Sequence, residues 1–134
     1  MVSKMFVSLP VKNLGKSIIF FLDLGFTFNP EFTNDVAACM VIGENMFVML
    51  LAEKHFKAFT QKDIGDATKY TEVLVAVELD SKEKVIDMVS KAVAAGGSIY
   101  MEPKDNGGMY GHSFADLDGH QWEVFSMARA AMPK

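Results

Sequence analysis

The sequence predicts an α+β fold made of two βαβββ modules, and three observations lead there. The order strand, helix, strand, strand, strand can be read over residues 5–51 and again over 72–127. The first strands of the two runs are offset by about 68 residues, which makes one supersecondary unit per copy. Residues 52–71 between them carry no comparable period and read as a connector. At 134 residues, half of them hydrophobic, the chain is a single domain's worth and can bury a sizeable interior.

Taken in order, MFVSLPV at 5–11 alternates as a strand, with Pro10 confined to its end or edge because it has no N–H to give a ladder. Asn13 is placed to cap a helix from Leu14 to Leu24, where Leu14, Ile18, Phe21 and Leu22 recur at helical spacing and Gly25 ends the run. Strands follow at 26–28, 36–42 and 46–51, the last two joined through Gly43, Glu44 and Asn45. The connector holds a short helix near 53–59. In the second copy, 72–79 reads as a strand, and Ser81 caps a helix over 82–95 with Val85, Met88, Val89, Ala92 and Val93 as its apolar stripe. Gly96 and Gly97 stop it. A strand at 98–102, a loop at 103–108 with a turn or lid at its glycines, and a closing hairpin complete the copy, leaving a tail at 128–134 that is expected to fray.

That closing hairpin, FADLDGHQWEVFSM over 114–127, is pinched at Asp118 and Gly119, residues that tolerate tight turns. Beyond the turn, Gln121, Glu123 and Phe125 share one face, and Trp122, Val124 and Ser126 the other. If the Phe125 face packs inward, Glu123 is a buried carboxylate that needs a cation or a donor. Otherwise it is a solvated residue near a sheet edge. Asp116 and Asp118 flank the turn and read as its hydrogen-bonding groups rather than as a pair of acids.

Composition narrows the function. A formal net charge of −4 with thirteen scattered basic residues excludes a general nucleic-acid binder. Cys39 is the single cysteine, so no intrachain disulfide forms and a cytoplasmic setting is expected. No apolar run reaches the roughly 18 to 20 residues that cross a bilayer, so no membrane partner is expected. No nucleophile stands beside a base, and the glycines at 107–111 lack the lysine and following helix of a phosphate cradle.

Asp116-Leu117-Asp118-Gly119-His120-Gln121-Trp122-Glu123 resembles the Asp-Pro-Asp-Gly-His-x-Trp/Leu-Glu stretch of the vicinal-oxygen-chelate superfamily of glyoxalases, bleomycin- and fosfomycin-resistance proteins and extradiol dioxygenases, with Leu117 in place of proline. FVSLPVKNLGKSIIFFLDLGFTF at 6–28 is similar to the family's opening, and the resemblance spans nearly the whole chain. It implies a curved mixed sheet around a cleft, a homodimer, a small-molecule ligand, and lyase or dioxygenase activity in metal-dependent members. In those members the metal ligands come from four strands, the last being the equivalent of Glu123. The other three positions fall here at Phe6, at Leu74 and at Met49, or Phe47 with a shift of register. The resemblance leaves room for a divalent metal (Zn, Mn, Ni or Fe), but only Glu123 among these residues can serve it, so the residues favour none. The expectation is therefore a small-molecule-binding protein with a degenerate metal site. Phe6, Phe47, Met49 and Leu74 would line the cleft, and Ser8, Tyr110, His112 and Glu123 would orient the ligand. A metal-dependent lyase or dioxygenase is the alternative.

Overall fold

The computed structural model describes residues 1–128, and the expected tail falls outside the described residues from residue 129 on. The chain forms two compact units, Met1–Gly65 and a second from Asp66 onward.

In the first unit, β1 (Met5–Val11) is followed by α1 (Leu14–Asp23), β2 (Thr27–Asn29), a single 3-10 turn at Pro30–Phe32, β3 (Ala37–Gly43), β4 (Met46–Ala52) and the short α2 (Glu53–Lys57). The sheet order is β1-β4-β3-β2, with β1 parallel to β4 and the remaining pairs antiparallel. Leu9, Val48, Leu50, Ala38 and Met40 alternate onto one face and are buried with Phe20 and Phe21 of α1. Truncating any large member of such a cluster costs about 2–5 kcal/mol. Asn13 Oδ1 accepts from the Lys16 N–H at 3.0 Å, as expected of the cap.

The second unit repeats the plan with β5 (Leu74–Glu78), α3 (Lys82–Ala94), β6 (Lys104–Asp105), β7 (Met109–Ala115) and β8 (Gln121–Met127), in the sheet order β5-β8-β7-β6. Again the first strand lies parallel to the last. Ser81 Oγ caps α3 through the Lys84 N–H at 3.2 Å. Val85, Val89 and Ala92 of the helix are buried, as are Phe114, Trp122 and Val124 of the strands it packs on. The Phe114 and Trp122 rings lie 6.1 Å apart and nearly parallel.

One expected strand is not there. Instead of pairing over 98–102, the chain makes a single bridge from Ser98 to Ala115, leaves the sheet, and rejoins it as β6 at Lys104 and Asp105, opposite Gly111 and Tyr110. Five residues (99–103) therefore span the gap that three (112–114) cover on β7, and the surplus arches off the ladder. Pro103 has no N–H to contribute there. The orphaned Met101 carbonyl is met instead by His112 Nε2 at 3.1 Å.

Candidate functional site

Each sheet has one face buried under its helix and one left open, and the register says which residues share the open one. On the first sheet Phe6 is opposite Phe47 and Ser8 opposite Met49. The two phenylalanine rings stack with centroids 4.8 Å apart. All four residues expected to line or orient a site in the first module are thus brought together on one face. Phe6 keeps 54% of its surface exposed, a large apolar group withheld from the core.

On the second sheet Glu123 stands between Ala76 of β5 and Ser113 of β7. Leu74, opposite Gln121, lies on the same face one step along and is half exposed. The inward face is the one bearing Trp122 and Val124, so Glu123 is exposed, and of the two readings of its carboxylate the solvated one holds. The indole is the larger apolar surface, and burying it under α3 decides the orientation of the strand. Two expected orienting groups change sides for the same reason. Tyr110 pairs with Ser126 and His112 with Val124, which puts their side chains on the face alternate to Glu123. Tyr110 instead lies beneath Lys82 Nζ at 5.0 Å, and that ammonium binds Asp105 at 3.0 Å, tying the start of α3 to β6.

A depression of about 270 Å³ opens beside Glu123. Met101, Met109 and Phe125 give it apolar walls, with Ser113, Glu123 and Lys104 as polar groups, and His112 also reaches it. Met101 comes from the arch, so the break in the ladder helps to shape the wall. Ser113 is buried although it is on the open face. Beside it lies the Tyr100 hydroxyl, which is enclosed without a hydrogen-bond partner. Leaving such a group unmatched costs about 1–3 kcal/mol. Burial pushes the Tyr100 phenol up from its ordinary value, the Ser113 hydroxyl draws it back, and the Glu123 charge adds to the rise.

The turn next to the site is held by Asp116. Its Oδ1 accepts from the Asp118 and His120 N–H groups, each at 3.0 Å, and its Oδ2 accepts from Trp122 Nε1 at 3.1 Å. Burial pushes this carboxyl up, against the pull of His120 and of those donors. Asp116 is therefore structural, as its place beside the turn predicted.

The residues do not fit a divalent metal. Phe6, Phe47 and Leu74 offer no donor, and Met49 offers only a soft thioether that suits none of the hard or borderline ions. Among the described residues no three His, Cys, Asp or Glu side chains are grouped so as to hold a metal ion. Nor is any helix among them long and apolar enough to cross a membrane.

Sequence reasoning missed Met101, Met109, Ser113 and Phe125. Ser113 and Phe125 were recoverable, because strand alternation puts Phe125 on the Glu123 face, and the hairpin register puts Ser113 opposite it. Met101 was not, because the arch that presents it has no local signature.

Two helix-backed βαβββ units of identical sheet order, each with an open face, define a paired-module α+β protein. The chain belongs to the glyoxalase/bleomycin resistance protein/dioxygenase superfamily, whose family model matches residues 5–124. Its fold is similar to that of a hypothetical protein from S. aureus, at 33% identity over 94% of this chain and 95% of that one, with a TM-score of 0.79. It is similar also to a glyoxalase-related enzyme from Fulvimarina pelagi (18% identity, 94% and 88% covered, TM-score 0.78). A third likeness is to the genomically encoded fosfomycin resistance protein FosX from Listeria monocytogenes (17% identity, 97% and 98% covered, TM-score 0.66). No functionally curated protein matches the chain. Members of the superfamily bind small-molecule substrates, commonly use divalent metals and often form dimers.

Proposed function

We propose that this protein binds an apolar small molecule carrying a cationic or N–H-donating group, and does so without a metal. The observation that carries this reading is the exposed Glu123 carboxylate set among Met101, Met109 and Phe125 in one depression. Apolar walls supply affinity through burial, and a single placed charge supplies orientation. Methionine walls adapt to ligands of differing shape. The apolar Phe6, Phe47, Met49 and Leu74, with Ser8, offer surface of the same kind, and their lack of donor atoms favours binding over metal-assisted lyase or dioxygenase chemistry. A homodimer accords with the habit of the superfamily, and the lone, buried Cys39 with a cytoplasmic setting.

The test is a thermal-shift screen of 2-phenylethylamine and longer aryl and alkyl amines against their neutral N-acetyl counterparts, on the wild type and on Glu123→Gln. The amines stabilise the wild type in proportion to occupancy, the neutral counterparts do so less, and Glu123→Gln loses the difference. Elemental analysis of protein purified without chelator or nickel is run alongside. Near one equivalent of metal, lost in Glu123→Gln, would overturn the reading in favour of a metalloenzyme.

A further inference from the structure

Beside Ser113, which lines this depression, lies an enclosed hydroxyl that makes no hydrogen bond. Tyr100 Oη is enclosed and unpartnered, a state rare enough in folded proteins to require a reason. The arch accounts for its position. The surplus residues of 99–103 lift the chain off the ladder next to β7 and bring Tyr100 to the edge of the open face, beside Ser113. Ser113 in turn stands directly opposite Glu123 on the neighbouring strand.

A hydroxyl accepts and donates at once. When the phenol O–H donates to Ser113 Oγ, the serine's own proton is free to point at a second acceptor. The depression then presents a carboxylate acceptor and a hydroxyl donor from directly opposed residues, whose Cβ atoms in such pairs lie about 4.5–5.5 Å apart. That spacing matches a ligand whose nitrogen and oxygen sit on neighbouring carbons, each reaching its own partner. An amine alone would satisfy Glu123 and leave the serine proton idle.

We propose that Tyr100, acting through Ser113, is a positioning residue that sets specificity, and that the site selects an apolar molecule bearing an ammonium group and a hydroxyl or carbonyl oxygen on adjacent carbons. This rests on the depression being a ligand site, as argued above. The phenol stays protonated to donate, since burial and the Glu123 charge both disfavour its anion. In the unliganded protein its hydroxyl contributes no stability, which separates it from a structural tyrosine.

The experiment is calorimetric titration of 2-amino-1-phenylethanol and of 2-phenylethylamine into the wild-type chain, Tyr100→Phe and Ser113→Ala, with a melting curve for each protein. The wild type binds the amino alcohol about fivefold to tenfold more tightly than the amine. Both variants lose that preference, while Tyr100→Phe melts at the same or a higher temperature. Equal binding of the two probes by the wild type, retention of the preference in either variant, or a lower melting temperature for Tyr100→Phe overturns the proposal and leaves the binding reading standing. If neither probe binds the wild type, the binding reading falls and the proposal falls with it.

Discussion

A Cβ placed on Gly119 would lie 2.8 Å from the carbonyl oxygen of Ala67, so the hairpin turn and the segment leading into β5 meet where only glycine fits. Gly119 also holds a left-handed φ of +93°. Gly25 has the same kind of φ, +102°, but a Cβ there would meet nothing within 4 Å. Gly119→Ala is therefore expected to lose about 2–4 kcal/mol and Gly25→Ala only about 1 kcal/mol, measured by urea denaturation. Equal losses would show that Ala67 yields and that the close approach is unimportant.

Asp116 satisfies two backbone N–H groups and the Trp122 indole at once. Asp116→Ala strands all three and is expected to cost about 2–3 kcal/mol. Trp122 is the single tryptophan, so its emission reports the loss directly. An unchanged spectrum and stability would mean that the turn holds without its carboxylate.

Of the three tyrosines, Tyr100 is expected to ionise above the ordinary phenol range, because burial and Glu123 both resist its anion. Because the folded value lies above the unfolded one, the folded state resists ionisation, and stability falls as pH rises from about 10 through the folded value. Absorbance titration in the phenolate band should show one late step that Tyr100→Phe removes. Stability measured across the same range should fall less steeply in that variant.

Phe6 and Leu9 lie on alternate faces of β1, one 54% exposed and the other 3%. Leu9→Ala is expected to cost about 2–4 kcal/mol in stability, and Phe6→Ala about 1 kcal/mol or less. The reverse ranking would place Phe6 in the core and remove it from any binding surface.

The repeated βαβββ order, both helix caps and the closing hairpin were legible because each rests on local rules. Asn13 and Ser81 cap as their side-chain chemistry dictates, and alternation marks the strands. The β6 region was not legible. Its departure from the sheet depends on the count of residues opposing it on β7, and that count exists only once the strands are paired. The grouping of Phe6, Ser8, Phe47 and Met49 on one face was readable from the two-residue strand period, whereas the placement of Tyr110 and His112 depended on which face the helix would cover.

By itself, then, the sequence determined the family, the module order and the poverty of metal donors, since each is written in residue type and spacing. Tertiary structure decided that Trp122 rather than Phe125 turns inward, that Glu123 stays exposed, and that Tyr100 comes to rest beside Ser113. The reason is that alternation offers two faces without ranking them. The ranking comes from the larger apolar area that α3 can cover, a comparison between segments far apart in the chain.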